Sequence, residues 1–366
     1  MTLPEWPRLL DVPALPAAIK ERHEDFVVEE LPAYEPCGEG DHVYLRVEKR
    51  GMTTGSALRA LARSLDVRPR DVGVAGQKDA RGVTVQTFSI EHVDPAAAAT
   101  LELPGLRVLE VARHRNKLRT GHLRGNRFAV RLREVDATRV GDVRAALAEL
   151  EQKGAPNYFG PQRFGTRGDT WEVGRAALAG DFAAAARIVF GEVRSGDPRR
   201  AILSQDRRLL SLYASAFQSY LFNNVVARRL GSLGRVGEGD LAWKHDNGAV
   251  FRVTDAAADQ PRAESFEISP TGPMYGRRMT EPGGEQGALE AEILAGAEIT
   301  ADAFPASGPF QCAGGRRPLR DRPEGACAEA GVDEHGPFIE VRFGLDPGCY
   351  ATVVLAEICG GALSGA

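Results

Sequence analysis

The chain has 366 residues, more than one compact core usually takes, so two domains are expected. Its 43% hydrophobic and 26% charged residues fit a soluble globular protein, and no apolar run approaches the roughly 18 residues that span a bilayer. A net charge of −4 discourages a nucleic-acid reading at first sight, while five scattered cysteines (Cys37, Cys312, Cys327, Cys349, Cys359) without a C-x-x-C pair argue against a zinc site or disulfide framework and for reduced thiols in the cytosol.

In chain order, residues 1–17 are Pro-rich and read as an irregular, loosely attached arm with neither the basic n-region nor the apolar h-region of a secretory signal. Phe26-Val27-Val28 reads as a short strand, and residues 42–47 as another with alternating character. A helix follows, which Thr53 or Thr54 can cap, with Leu58, Leu61, Ala62 and Leu65 on one face. Residues 72–75 form a short apolar strand, the glycines and charges of residues 76–82 mark a loop, and residues 83–90 re-enter a strand. Two more strands are expected around residues 107–112 and 126–133, then a helix with Val140, Val143, Leu147 and Leu150 on one side.

Gly154-Ala155-Pro156 breaks this pattern. Residues 154–305 offer Ala-rich helices at 176–179 and 183–189, a long amphipathic candidate at 207–229, and a Gly- and Pro-rich middle at 269–273. After Phe304-Pro305 strand signals resume at 338–343 and 350–355. Strands, then helices, then strands predict an α+β domain interrupted by an insertion, with parts 1–153, 154–305 and 306–366.

The charge is uneven. Arg107, Arg113, Arg115, Lys117, Arg119, Arg124, Arg127, Arg131 and Arg133 stand together against Glu110 alone, whereas residues 281–302 carry Glu281, Glu285, Glu290, Glu292, Glu298 and Asp302 without a base. Such a stripe can hold phosphates, or be the solvated face of a hairpin. In residues 76–82, Asp79 stands beside Lys78 on a Gly-flanked turn between two apolar strands, where a stiff scaffold meets solvent. An aspartate with its ordinary pKa near ~3.9 is ionised at neutral pH and can serve as nucleophile or base. A solvated hairpin tip has the same composition. A phosphate-loop reading fails, because Asp79 follows Lys78 where Ser or Thr would bind magnesium.

Gly76-Gln77-Lys78-Asp79 followed by Val83-Thr84-Val85-Gln86 resembles the catalytic motif of the TruD family of tRNA pseudouridine synthases. Four more segments agree in order and spacing: Lys20 to Glu30 with Glu24-Asp25-Phe26-Val27-Val28; His114-Arg115-Asn116-Lys117-Leu118-Arg119 with Gly125-Asn126-Arg127-Phe128; Asn157-Tyr158-Phe159-Gly160-Pro161-Gln162-Arg163-Phe164-Gly165; and Arg342-Phe343-Gly344-Leu345-Asp346-Pro347-Gly348 with Tyr350-Ala351-Thr352, which resembles a C-terminal strand pair. The likeness runs from about residue 19 to 359. Gly82 departs from the family's common Ala, a tolerable change in a turn.

The resemblance implies a pseudouridine synthase catalytic domain with a mixed, largely antiparallel sheet, interrupted by an α/β TRUD insertion domain. It implies isomerisation of uridine 13 in the D-arm of tRNA, without cofactor or metal, in the cytoplasm, with tRNA as partner, no membrane and no obligate protein partner. Asp79 takes the place of the family's essential aspartate, which would attack the ribose or the base, or act as a base at C2′. Phe128 would stack on the target base and Asn126 would hydrogen-bond its edge. Phe26 and Phe343 would lie near the nucleotide, with Lys20, Glu30 and Lys78 supporting, and Arg113, Arg115, Lys117 and Arg119 would meet RNA phosphates. A cleft between catalytic domain and insertion would embrace the substrate. A lone strand Phe is more often core than ligand contact, and Asn126 after Gly125 also suits a turn. Tyr158, Phe159, Arg163 and Phe164 would structure the insertion or touch RNA; structure is the expectation. Ala216-Phe217, Tyr220-Leu221 and Asn224 repeat at helical spacing, as helix-packing residues do. The alternative is a non-catalytic RNA-binding or tRNA-folding protein using the same cleft. A metal-dependent hydrolase lacks a second clustered carboxylate or His pair.

Overall fold

The computed structural model describes residues 4–78, 80–191 and 196–365, so Asp79 lies outside the described residues. By contacts the chain gathers into two compact units, one of Met1–Asp11, Gln152–Arg322 and Thr352–Val354, the other of Val12–Glu151, Pro323–Ala351 and Leu355–Ala366. Among the described residues no helix is long and apolar enough to cross a membrane.

The second unit is built on one mixed sheet, in the order Glu324–Asp333, Gly336–Leu345, Leu123–Leu132, Phe26–Pro32, Val83–Glu91, His42–Arg50, Leu106–His114, Glu102–Leu103, with Gly73–Val74 added on Val83–Glu91. Phe26–Pro32 and Val83–Glu91 run parallel, and every other pair is antiparallel, which is the mixed, largely antiparallel sheet the sequence predicts. Alternating apolar residues turn one face inward. On that face Val43, Leu45, Val47, Phe88 and Ile90 pack with Ala57, Leu61 and Ala62 of the helix Thr54–Ser64. Each such large side chain contributes about 1.5–3 kcal/mol on leaving water. The parallel pairing lasts only from Val27–Val83 to Glu29–Val85. Further along, Gly73–Val74 lies beside Ser89 and Phe88 instead, so the two central strands part and leave a wedge.

The first unit combines the helices Thr170–Leu178, Phe182–Phe190, Pro198–Leu203, Arg207–Arg228, Ala256–Glu264 and Gly284–Gly296 with a sheet in the order Val250–Arg252, Leu241–Lys244, Ile268–Met274, Gly315–Pro318. The long helix buries Ala216, Phe217, Leu221, Phe222 and Val225 completely, as its spacing predicts. Gly174 lets a neighbouring helix approach so closely that a Cβ there would stand 2.1 Å from the Tyr213 carbonyl. In the run from Asn157 to Gly165, the Asn223 amide accepts from Phe159 N–H at 2.8 Å and donates to Phe159 C=O at 3.0 Å, while Phe164 is wholly buried. Phe159 and Phe164 thus pack within this unit, as expected of residues that structure it.

Four expectations need correction. Residues 350–355 read as a strand, but Ala351–Ile358 is a helix, because Ala351, Val354, Leu355 and Ile358 share one buried face and that spacing outweighs the β-branched Thr352-Val353-Val354. The Gly- and Pro-rich segment at 269–273 is a buried strand, Ile268–Met274. It tolerates two prolines because residues 268–270 pair with one neighbour and 271–274 with another, so no residue must bond on both sides. Glu324–Asp333, rich in Gly and Ala, gives no strand signal yet pairs along Gly336–Leu345. The N-terminal arm is well anchored: Trp6 packs against Tyr158, Phe164 and Tyr220 in the first unit, and Ala17–Ala18 pairs with Leu363–Ser364 in the second.

One buried ion cluster ties the second unit together. Arg133 donates to Asp25 Oδ1 at 2.7 Å and to Asp333 Oδ2 at 2.7 Å, and Asp25 is fully buried. The Arg133 hydrogen bond, with help from the His335 N–H, holds the Asp333 carboxyl well below the usual carboxylate range. Asp25→Asn is expected to destabilise the unit, read as a drop in the urea midpoint, because it removes one of the two carboxylates that hold the buried Arg133 guanidinium. A depressed carboxylate stabilises above its unfolded pKa and loses that contribution as pH falls. The wild-type chain should therefore lose stability below about pH 4, and Asp333→Asn should flatten that acid limb.

Candidate active site

The wedge between the two central strands is filled with polar side chains. Lys78 reaches into it and its Nζ donates to Glu30 Oε2 at 2.7 Å, with both side chains almost fully buried. Glu30 Oε1 accepts from the Thr87 N–H at 3.2 Å, so one carboxylate spans the gap where backbone pairing has stopped. Thr54, the first residue of its helix, accepts the Lys78 N–H at 2.8 Å and donates to Gln86 Oε1 at 2.9 Å, and Gln86 Nε2 makes a longer contact of 3.5 Å to the Gly76 carbonyl. Gly76 is small for a reason: a Cβ there would press on Lys78 Nζ at 3.2 Å. Gly82 at the far end of the turn is equally constrained, since a Cβ would fall 2.4 Å from the Phe26 carbonyl. The family's common Ala would not fit this turn unchanged.

Register brings the other expected residues together. Phe128 lies opposite Val28 on one side and Phe343 on the other, and Asn126, two residues away on the same face, lies opposite Glu30 and Leu345. The rings form a row, with Phe128 stacked on Phe343 at 5.5 Å and edge-on to Phe26 at 6.2 Å. All three are buried, and Lys20 Nζ sits 4.7 Å over the Phe26 ring. Lys20 has a left-handed backbone (φ 59°), a conformation that costs a non-Gly residue about 1–2 kcal/mol. Asn126 is in mid-strand rather than a turn, and Gly125 before it admits the Leu345 carbonyl, 2.6 Å from where a Cβ would be. Among the described residues Asn126 Oδ1 is buried without a hydrogen-bond partner, and so is Thr84 Oγ1, whose residue lies opposite Val28 on the same face. Buried polar atoms are nearly always paired, so two orphans on one face mark a place where a polar ligand fits.

The basic stripe divides. Arg107 pairs with Glu48 and Arg127 with Glu29, while Arg131 and Arg133 are held by Asp333, Glu340 and Asp25; these four serve the sheet. Arg113, Arg115 and Arg119 are exposed and Lys117 half-buried. Arg115 bonds Glu39, Arg113 donates to the Gly40 carbonyl at 3.1 Å, and Lys117 to the Arg70 carbonyl at 2.6 Å. Their loop is pinned by Leu118, whose N–H meets Ser89 Oγ at 2.9 Å and whose carbonyl nests against Gly73. Beside it Tyr34, Tyr44, His114 and His122 form an aromatic cluster, with Tyr34 Oη 2.8 Å from His122 Nδ1. Three distant segments build that cluster, and no sequence spacing signals it.

The chain matches the family model described as tRNA pseudouridine synthase D (TruD) over residues 8–200 and 192–358. It is 46% identical over 393 aligned positions to the tRNA pseudouridine synthase D of Geobacter metallireducens, covering 96% of each chain. To that of Anaeromyxobacter dehalogenans strain 2CP-C it is 45% identical over 350 positions, covering 95% of this chain and 94% of the relative. A crystal structure from Methanosarcina mazei, assigned to tRNA pseudouridine synthase D (TruD), matches with a TM-score of 0.77 at 25% identity over 98% of this chain and 96% of that one.

The buried pair in the wedge makes a stability prediction. Glu30→Gln should lower unfolding free energy by about 3–5 kcal/mol, since Lys78 is left charged and uncompensated. The double variant Glu30→Leu, Lys78→Met should recover part of that loss, and chemical denaturation of the two singles and the double measures the coupling.

Proposed function

Because the chain belongs to the TruD family of tRNA pseudouridine synthases, we propose that it isomerises uridine 13 in the D-arm of tRNA to pseudouridine with Asp79 as the nucleophile. In the reaction the N1–C1′ bond breaks and a C5–C1′ bond forms, C5 gives up its proton to solvent and N1 takes one up. Atoms and oxidation state balance within the substrate. The uridine must first leave its stack, which costs a few kcal/mol and calls for stacking and edge contacts in a pocket.

The observation that carries this reading is the unpaired, buried Asn126 Oδ1 beside Phe128. A uracil offers an N3–H donor on its pairing edge, whereas cytosine has a lone pair there, so an acceptor at Asn126 selects the correct base. Phe128 has no proton to give, so its part is stacking and exclusion of water, with Phe26 and Phe343 fixing its ring. Lys20 adds positive charge at the same row. Glu30 and Lys78 hold the turn that leads into Asp79. Arg113, Arg115, Lys117 and Arg119 supply the phosphate contacts that position the tRNA without reading its sequence. The expected 154–305 segment forms the bulk of the insertion domain, whose sheet also takes in Gly315–Pro318, and the catalytic domain is the unit of Val12–Glu151, Pro323–Ala351 and Leu355–Ala366. The family membership supports tRNA as the substrate, in a reaction that needs no cofactor and takes place in the cytoplasm.

Asp79→Asn should bind tRNA with unchanged affinity and release no tritium from C5-labelled tRNA; label release at a wild-type rate would remove Asp79 from the chemistry. Asn126→Ala should lower turnover by about 10²-fold or more while binding holds, as expected when an edge contact to the extruded base is lost. Reversing Arg115 and Arg119 to Glu should weaken tRNA binding and reduce the slope of log K against log salt by about 1 per lost phosphate contact. An unchanged slope would make this loop an ordinary solvated face.

A further inference from the structure

Thr53 and Thr54 stand together at the start of one helix, and only one of them caps it. The Thr53 side chain accepts from the Ser56 N–H at 3.1 Å. The Thr54 hydroxyl has no task within its own helix. It is buried at 1% exposure and makes two bonds, accepting from the backbone N–H of Lys78 and donating to Gln86 Oε1. A hydroxyl has one proton to give, so the donation to Gln86 settles its direction. Gln86, also 1% exposed, turns its amide nitrogen towards the Gly76 carbonyl. The two side chains thus hold the start of the turn at two points, the carbonyl of Gly76 and the amide of Lys78. The residue after Lys78 is Asp79.

We propose that Thr54 and Gln86 form a positioning relay for the nucleophile, a pair of buried neutral side chains that holds the backbone of the turn from Gly76 to Lys78, just before Asp79, without touching the substrate. The inference rests on Asp79 being the nucleophile. The relay differs in kind from the Lys78–Glu30 ion pair, which anchors a side chain of the turn, whereas Thr54 and Gln86 hold its backbone. It also joins two packed elements to the chemistry: the first residue of the helix Thr54–Ser64 and the strand Val83–Glu91. Reactions that depend on near-attack geometry lose about 10²-fold in rate for a displacement near 1 Å. Removing the hydroxyl leaves the Lys78 N–H and Gln86 Oε1 unpaired in a buried place, and the turn must move to find partners.

Single-turnover tritium release from C5-labelled tRNA, tRNA affinity and thermal midpoint decide the matter in Thr54→Val, Thr54→Ser, Gln86→Met and Asp79→Asn. Thr54→Val keeps the shape and β-branching of threonine and removes only the hydroxyl. Its release rate should fall roughly 10- to 100-fold with tRNA affinity within twofold of wild type. Thr54→Ser should restore most of the rate, and Gln86→Met, which reaches the relay from the other strand, should repeat the defect should Thr54→Val fail to fold. A wild-type rate in either Thr54→Val or Gln86→Met overturns the relay. So does a rate loss matched by an equal loss of tRNA affinity, or a serine variant as slow as the valine. An active Asp79→Asn overturns the premise instead, and is told apart because it leaves the Thr54 and Gln86 comparison standing as a result about the turn alone.

Discussion

The parting of two parallel strands governs the second unit. Phe26–Pro32 and Val83–Glu91 share three paired positions and then diverge, and a diverging pair exposes backbone groups that something must satisfy. Glu30 does so by bonding the Thr87 amide across the gap, and a buried carboxylate then demands a cation, which Lys78 provides. From that one requirement follow the placement of the 76–78 turn, the smallness of Gly76, and the burial of Thr54 and Gln86. A buried charged pair contributes little net stability compared with apolar packing, so its presence here fits a site held in one arrangement better than a site built for strength.

Sheet register does the rest of the assembly. Asn126 and Phe128 are two residues apart on one strand, and their cross-strand partners Glu30, Val28, Leu345 and Phe343 come from two others. A slip of one residue would turn every one of these side chains to the opposite face. That opposite face carries Arg46, Glu29, Glu110, Arg127, Arg131 and Glu340 in ion pairs, so a slipped register would bury charges and expose phenylalanines. Binary patterning therefore protects the site geometry as firmly as it protects the core. The same logic explains why the nine cations between Arg107 and Arg133 do not act as one surface: alternate strand residues face apart, and Arg107, Arg127 and Arg131 on the sheet are claimed by acids from other strands.

Much of this was legible in the sequence, and the gaps have physical causes. The strands at 26, 42, 83, 106 and 123 and the long helix at 207 carry clear periodicity, and the structure has them. Motif likeness alone marks Phe26, Asn126, Phe128 and Phe343 as candidates, because a lone strand Phe carries no functional signal of its own. Ala351–Ile358 was misread because β-branched residues dominate its middle while its apolar spacing is helical. Glu324–Asp333 was missed because its small residues have weak strand preference and owe their conformation to the partner Gly336–Leu345. Asp333 and Glu340, which hold Arg131 and Arg133, lie about 200 residues away, and no local pattern announces them. Thr54 was seen only as a possible cap, since a helix-start threonine has an obvious local use.

The distance along the chain between the strands Leu123–Leu132 and Gly336–Leu345 has a consequence for biogenesis. About 200 residues separate them, which at ribosomal rates of roughly 5–20 residues per second is about 10–40 seconds. During that interval the nascent sheet ends in an open edge along Leu123–Leu132, with Phe128 lacking the ring of Phe343 beside it. Unpaired edges of this kind recruit other strands. The arginines at 124, 127 and 131 along that edge would repel a second copy of the same nascent chain, and Arg131, whose partners Asp333 and Glu340 come last, would have an earlier duty as a guard against aggregation on the ribosome.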